Sequence, residues 1–182
     1  MKIIAGQFKG KKLVSSNDYS IRPTTNRIKE NIFNVLQDFC FNRNVLDLFS
    51  GSGNLGLEAL SRGAEKIVFV ENAAKSIEII RKNIGNIKID LNKVRIIKQD
   101  ALQFCEQTDL KFDLIFIDPP FDYPPLQKLI NTIMQKSILQ KDGVLVIEHE
   151  KTNPITSSSV DYLLFKQKKV GRSIISFIIN RN

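Results

Sequence analysis

The sequence predicts an α/β fold with a mostly parallel sheet of seven strands, a small N-terminal extension and a C-terminal antiparallel hairpin. Between residues 45 and 149, short apolar runs alternate with runs of helical spacing. The strand-like runs are almost continuously apolar, as expected for parallel strands that helices cover on both faces. With 182 residues and no evident linker, we expect one domain over 1–182, with the extension in 1–40 and the core in 41–182.

The N-terminal extension is predicted to contain an arm and a helix. Residues 2–14 alternate in polarity around Gly6 and Gly10, which indicates a short hairpin or an extended arm. From Thr24 to about Phe39, apolar residues recur at helical spacing, and Thr24 or Thr25 is suited to cap this helix.

The core is predicted to alternate strands with helices before it ends in a hairpin. The turn Lys141-Asp142-Gly143 is expected to introduce the fifth strand, and Gly171-Arg172 to join the last two. The predicted strands are 45–49, 66–71, 94–98, 112–118, 144–149, 162–170 and 173–179, and the predicted helices of the core are 54–61, 73–84, 101–106 and 126–138.

Charge is unevenly distributed along the chain. The net charge of +8 divides into +5 for residues 1–30, −1 for 31–160 and +4 for 161–182. Two basic ends around a neutral body favour a polyanion partner, here nucleic acid, over the alternative of a lysine-rich surface without a partner.

Other compositional features exclude several classes of protein. No apolar run reaches the roughly 20 residues that span a bilayer, and the N-terminus lacks the apolar region of a secretory signal, so we expect no membrane partner. Two distant cysteines, Cys40 and Cys105, favour a reducing cytoplasm. The single histidine, His149, excludes a multi-histidine metal site, and we predict no metal.

A glycine-rich loop follows the first strand of the core. Gly51, Gly53 and Gly56, with Glu71 about twenty residues on, also fit the fingerprint of a nicotinamide-dinucleotide site. That site places a pyrophosphate against a helix N-terminus, where an acid such as Asp47 is awkward. S-adenosylmethionine (SAM) instead carries an ammonium and a cationic sulfonium, which suit an acid. The sequence therefore favours SAM, and the alternative role of Asp47 is that of a turn or cap residue.

Two further strand ends extend this prediction. Glu71 is suited to bind the ribose hydroxyls, and Asp100 with the Ala101 amide to bind adenine, although Asp100 is equally suited to be a helix N-cap. The predicted cofactor-binding residues are Asp47, Phe49, Gly51, Ser52, Gly53, Glu71, Asn72, Asp100 and Ala101.

The segment Asp118-Pro119-Pro120-Phe121 follows the fourth strand and is the predicted catalytic loop. Two prolines fix two φ angles and remove two donors, so the backbone presents carbonyls without competing amides. An exocyclic amino group of a base is a poor nucleophile that needs acceptors for both protons. The Asp118 carboxylate and the Pro119 carbonyl are suited to supply them, and Phe121 to stack on the base. The alternative is a rigid turn with Phe121 in the core.

With these segments in view, the chain resembles the RsmD family of bacterial 16S ribosomal RNA guanine-N2 methyltransferases. The resemblance covers nearly the whole length and is carried by residues 4–13, 22–34, 47–64 and 118–121, of which the Arg22-Pro23-Thr24-Thr25 segment is the most specific. Ser50 and Asn54 stand where the family commonly has alanine, and Asn26 where it commonly has aspartate.

The resemblance implies a Rossmann-like class I methyltransferase that uses SAM on a guanine of small-subunit ribosomal RNA, within a ribosomal assembly particle rather than on naked RNA. It also implies that Arg22, Thr24 and Thr25 close over the active site. Together with the basic ends, the predicted substrate-binding residues are Lys9, Lys11, Lys12, Arg22, Thr24, Thr25, Arg27, Lys168, Lys169 and Arg172.

Three other functions compete with this interpretation. An adenine-N6 DNA methyltransferase uses the same Asp-Pro-Pro-aromatic loop, but no added target-recognition domain is evident. A nicotinamide dehydrogenase conflicts with Asp47 and the two prolines. A non-catalytic RNA-binding or assembly factor would keep the fold, and the intact residues 118–121 argue against it.

Overall fold

A computed structural model of the chain describes residues 1–15, 26–120, 123, 126–152, 154–155 and 162–181. The described helices and strands, in chain order, are α1 (Asn26–Leu36), β1 (Asn44–Leu48), α2 (Asn54–Ser61), β2 (Lys66–Glu71), α3 (Ala74–Ile87), β3 (Val94–Lys98), α4 (Ala101–Gln107), β4 (Phe112–Ile117), α5 (Leu126–Gln135), β5 (Leu139–Glu150), β6 (Tyr162–Val170) and β7 (Ser173–Asn180), with a 3-10 turn at Leu91–Lys93.

The strands form one seven-stranded sheet in the order β3-β2-β1-β4-β5-β7-β6. Strands β1 to β5 run parallel, and β7 pairs antiparallel with both β5 and β6. The predicted fold class is therefore confirmed. All five parallel strands end at the same side of the sheet, which we call the carboxyl edge, and the opposite side is the amino edge.

Hydrophobic side chains cover both faces of the sheet because successive strand residues point to opposite sides. Along β1, Val45 packs with α1, α2 and α3, whereas Leu46 and Leu48 pack with α4 and α5. Among the helices described, the longest has 14 residues, and none is long and apolar enough to cross a lipid bilayer.

Strand β5 differs most from its predicted bounds. The segment Lys141-Asp142-Gly143 lies inside β5, which begins at Leu139 instead of Val144. Pairing with β4 jumps from Phe112–Leu139 to Leu114–Val144, so the predicted turn is a bulge within the strand. A β-carbon on Gly143 would lie 2.7 Å from the carbonyl oxygen of Gln140, which explains the glycine there.

Other element bounds shift by a few residues. Helix α1 ends at Leu36 rather than Phe39 because Gln37 has a φ of +49°. Helix α3 continues to Ile87, and α5 ends at Gln135. The N-terminal arm makes one isolated antiparallel bridge, Lys2–Lys12. The predicted caps Thr24 and Thr25 lie outside the described residues.

Candidate cofactor and substrate site

The loop between β1 and α2 turns sharply at the carboxyl edge. Phe49, Gly51 and Gly53 have φ angles of +57°, +53° and +77°, the left-handed region that favours glycine. A β-carbon on Gly53 would lie 3.3 Å from the Phe69 ring. We call residues 49–53 the glycine loop. The loop presents its peptide groups at the end of β1, and it leaves little room for a side chain at Gly53.

Asp47 lies almost completely buried on β1, with 2% of its surface exposed. Its Oδ2 accepts a hydrogen bond from the Gly56 amide at 3.0 Å, which joins the strand to the first turn of α2. Burial raises the pKa of Asp47 well above its ordinary value of 3.8, and the nearby Asp118 and Glu71 carboxylates raise it further. The site therefore holds a carboxyl group whose ionised form would be stabilised by an added cation.

Glu71 ends β2 and is half-buried beside the glycine loop. Its Oε2 accepts from the Gly51 amide at 2.8 Å, and its Oε1 accepts from the Ala73 amide at 2.8 Å. Each carboxylate oxygen has a second acceptor position, so a ligand hydroxyl can still be bound. Glu71 thus shapes the loop in addition to its predicted ribose contact.

Asp100 follows β3 and caps α4, with its Oδ1 accepting from the Gln103 amide at 3.0 Å. The capping role considered from the sequence is therefore present, and the predicted adenine contact remains a prediction. Ala101 is buried, whereas Asn72 is exposed. The nine predicted cofactor residues lie at or just beyond the ends of β1, β2 and β3, so the fold brings them to one edge.

The predicted catalytic loop leaves β4 at the same edge. Leu48 of β1 pairs with Ile117 of β4, which places Asp118 beside the start of the glycine loop. Asp118 is half-buried, Pro119 buried and Pro120 exposed. The Pro120 carbonyl accepts from the Tyr123 amide at 3.0 Å.

Tyr123 also connects this loop to the glycine loop. Its ring meets Phe49 edge to face, with centroids 4.8 Å apart. Phe121 lies outside the described residues. Tyr123, two residues beyond the predicted catalytic loop, is therefore in contact with the predicted cofactor region.

The basic residues of the C-terminal hairpin also lie at the carboxyl edge. Glu150, the last residue of β5, pairs with Ser173, which in turn pairs with Val170. The turn that carries Arg172 is therefore at the same side of the sheet as the predicted catalytic loop (residues 118–121), which we also call the Asp118 loop. Lys169 and Arg172 are exposed, and the Lys168 Nζ reaches Asn31 Oδ1 of α1 at 3.5 Å.

The basic residues of the N-terminal extension are more spread out. The Gln7 amide donates to the Ser61 carbonyl at the far end of α2, so the neighbouring Lys9 lies toward the amino edge. The chain then returns through Lys11 and Lys12 to the carboxyl edge. Helix α1 also begins there, and its second residue, Arg27, is exposed. Arg22, Thr24 and Thr25 lie outside the described residues.

Two groups of buried polar residues were not predicted. Lys29 and Glu58 are both fully buried and form an ion pair at 3.1 Å, and Asn83 is fully buried in α3. Burial lowers the pKa of Lys29, partly opposed by Glu58. The one sequence signal was that Lys29 falls on the apolar stripe of α1, three and four residues before Ile32 and Phe33.

Comparison with known proteins gives a consistent assignment along the whole chain. The family model described as "Conserved hypothetical protein 95" matches residues 1–179. A Haemophilus influenzae protein named "Ribosomal RNA small subunit methyltransferase D" is 34% identical, over 100% of this chain and 94% of its own length.

Solved structures share the fold. The structure of yhhF from Escherichia coli has a TM-score of 0.89 and 30% identity, and the match covers 100% of this chain and 98% of that chain. The structure of SMU.776 in complex with S-adenosylhomocysteine (SAH) is 14% identical with a TM-score of 0.69, and covers 88% of this chain and 50% of that one. This second likeness is one of fold alone.

Proposed function

The chain belongs to the RsmD family, whose model spans residues 1–179, and we propose on that premise that it methylates ribosomal RNA. The reaction transfers the methyl group of SAM to the exocyclic N2 of a guanine in 16S ribosomal RNA of the small subunit. The H. influenzae relative named for small-subunit ribosomal RNA methylation supports the substrate class. The proposal treats residues 1–182 as one methyltransferase domain that acts in the cytoplasm.

The observation that carries the proposal is the adjacency of two loops at the carboxyl edge. Strands β1 and β4 are neighbours in register, so the glycine loop and the Asp118 loop begin side by side. Open α/β sheets bind ligands in such a crevice. A methyl donor in the first loop and an acceptor nitrogen in the second would meet there.

The residues present fit SAM chemically. The cofactor supplies an electrophilic methyl group on a cationic sulfonium. A cationic ligand would favour the ionised form of the buried Asp47 carboxyl, and Glu71 provides carboxylate oxygens for ribose hydroxyls. Asp100 and Ala101 at the end of β3 are suited to the adenine. SAH bound in the SMU.776 structure, which shares the fold, supports the same ligand class.

Asp118 and the Pro119 carbonyl would orient the guanine amino group. The N2 lone pair is delocalised into the ring, and acceptors for both N–H protons let the nitrogen pyramidalise toward the methyl group. With SAM bound, the N2 lone pair would form the new nitrogen–carbon bond, and the electron pair of the carbon–sulfur bond would stay with sulfur. The attacked nitrogen would then be acidic and would release one proton, for which Asp118 is the proposed acceptor. The loop contributes orientation and electrostatic stabilisation.

Affinity for RNA would come from the basic residues of both ends, including Lys11, Lys12, Lys168, Lys169 and Arg172. Sequence-specific RNA recognition targets unpaired bases, and a base must leave its stack to be modified at its edge. A ribosomal assembly particle can present such a base and add protein contacts, which suits a chain whose net positive charge is confined to these ends.

Methyl transfer to isolated small subunits tests the proposal. Subunits from a strain lacking this protein should accept labelled methyl groups from SAM, and mass mapping of the nucleotides should find N2-methylguanine. Duplex DNA and naked 16S RNA serve as comparison substrates. Labelling of adenine N6 in DNA would instead assign a DNA methyltransferase, and failure to bind SAM would favour a non-catalytic assembly factor.

A further inference from the structure

We propose that Asn83 and Lys29 are positioning residues for the cofactor. Through these two residues, the N-terminal segment (residues 1–14) helps to hold the glycine loop in the geometry that binds the cofactor. The inference rests on the proposed function because it takes the glycine loop as the SAM loop. Neither residue belongs to that loop or to the Asp118 loop. Each reaches one side of Gly53 from a different helix.

Asn83 joins the glycine loop to the end of the N-terminal segment. Its side-chain amide nitrogen donates to the Ser52 carbonyl at 2.9 Å and to the Val14 carbonyl at 3.0 Å. Its Oδ1 accepts from the Val14 amide at 2.7 Å. All three contacts are to backbone, and Asn83 is 0% exposed. One rigid side chain therefore fixes the Ser52 peptide group and residue 14 relative to each other.

Lys29 makes the equivalent connection on the other side of Gly53. Its Nζ donates to Asn54 Oδ1 at 2.8 Å and to the Lys2 carbonyl at 2.7 Å, beside its ion pair with Glu58. Asn54 directly follows the loop and opens α2. Lys29 therefore connects the start of α2 to residue 2 of the N-terminal segment.

Glu58 completes the attachment of the N-terminal segment. Its Oε2 accepts from the Ile4 amide at 2.9 Å, and its Oε1 accepts from the Ala5 amide at 3.0 Å and from Arg62 at 3.0 Å. A buried carboxylate with these donors is strongly held, since an unpaired buried charge is costly. The glycine loop, α1, α2 and residues 2–14 therefore form one hydrogen-bonded unit.

Such a unit matters for binding because a flexible loop must be ordered when it takes up a ligand. A loop that is held in its binding geometry beforehand avoids that loss of conformational freedom. The Ser52 carbonyl accepts from Asn83 of α3, and the Gly53 amide donates to the Ser50 carbonyl at 2.7 Å, so the peptide plane between Ser52 and Gly53 is held by α3 on one side and by the loop itself on the other. Loss of the Asn83 amide should leave the loop less ordered before binding.

Calorimetric titration of the full chain with SAH tests this role. Asn83→Ala should weaken SAH binding about 3- to 10-fold, which corresponds to the net contribution of one hydrogen bond that orders the loop. Asn83→Asp keeps the acceptor for Val14 but loses the donor to Ser52, and should show a similar loss. Lys29→Met should also weaken binding, and Asn54→Ala should do so by less because it removes one contact.

The matched control is Asn180→Ala at the amino edge. Asn180 is also buried and donates its side-chain amide to two backbone carbonyls, those of Leu139 and Gln140 at 2.8 and 3.2 Å. The Asn180→Ala variant should have a lower thermal unfolding temperature, as Asn83→Ala should, but its SAH affinity should equal that of the wild type. Equal SAH affinity in wild type and folded Asn83→Ala would overturn the inference. Absence of SAH binding to the wild type would instead overturn the proposed function.

Discussion

The two halves of the carboxyl edge are organised differently. In the half formed by β1, β2 and β3, the acids Asp47, Glu71 and Asp100 bind backbone amides at most twenty residues away in sequence. In the half formed by β4, β5, β7 and β6, residues from distant parts of the chain meet, as Lys168 of β6 does with Asn31 of α1. The acids of the first half are held by local hydrogen bonds, and the second half is brought together by the pairing of the sheet. Substitutions in the first half should therefore change cofactor binding, and substitutions in the second half should change methyl transfer or substrate binding.

The largest effect is expected for Asp118→Ala, which should separate the two halves most clearly. SAM binding should persist, while turnover falls on the order of 100–1000-fold, as for removal of one positioned electrostatic group. Single-turnover methyl transfer to small subunits measures the rate. Asp113→Ala is the control because Asp113 lies on β4, the strand that precedes Asp118, but at the amino edge, where it accepts from the Asn44 amide. Near wild-type transfer by Asp118→Ala would remove the role assigned to this loop.

Glu71→Ala should affect the other half. Loss of the acceptor for Gly51 and for the ribose should weaken SAM binding by roughly 1–3 kcal/mol. Titration calorimetry measures the change, and turnover at saturating SAM should stay close to that of the wild type. Unchanged affinity would show that Glu71 does not contribute to the cofactor site.

Reversing charge on the hairpin tests the substrate half. The triple variant Lys168→Glu, Lys169→Glu, Arg172→Glu should bind small ribosomal subunits more weakly. The slope of log affinity against log salt concentration should fall in magnitude by about 2, because each lost phosphate contact contributes about 0.7. Reversal of Lys66, Lys111 and Lys141, exposed at the amino edge, is the matched control. An equal loss in both triple variants would mean that net charge alone governs binding.

Lys9 refines the same comparison because it lies toward the amino edge. Lys9→Glu should lower subunit affinity less than Lys12→Glu, measured at the same salt concentration. The reverse order would show that the RNA extends along α2 toward the amino edge.

The smallest effect expected is a pH dependence of SAM binding. The raised pKa of Asp47 means that its carboxyl stays protonated above 3.8 in the free protein, and a cationic ligand prefers the ionised form. SAM affinity should therefore rise as pH increases through this raised pKa. The contribution of Asp47 to folding stability has the opposite trend: it is full below 3.8 and declines as pH rises through the folded pKa.

Asp47→Asn checks this assignment by calorimetry across the same pH range. The amide oxygen can still accept from Gly56, so the loop should be kept while the pH-dependent step disappears. A step that persists in the variant would belong to another group.

Local sequence patterns were sufficient for much of the fold. The bounds of α2, β2, β3 and β6 agree with their predicted ranges because apolar runs there end at glycine or polar residues. The β5 bulge was mistaken for a turn because Lys141-Asp142-Gly143 has turn chemistry, and only pairing with β4 makes it part of a strand. Local propensity and tertiary pairing gave different answers there.

The site shows the same division. Acids at strand ends were identified because parallel strands bring their carboxyl ends together. Lys29, Glu58 and Asn83 were missed because their role depends on which helices pack against the N-terminal segment, and a single sequence does not specify that packing. A lysine on an apolar helical stripe is a signal of such a buried pair.

The position of β7 has a consequence for how the chain folds. Strand β7 comes after β6 in the chain but lies between β5 and β6 in the sheet. During synthesis, β5 therefore stays an open edge, and β6 has no place in the sheet, until Ser173–Asn180 has left the ribosome. The parallel part can form first, whereas the basic hairpin assembles in one late step. A nascent chain would thus acquire its glycine loop before its C-terminal basic surface.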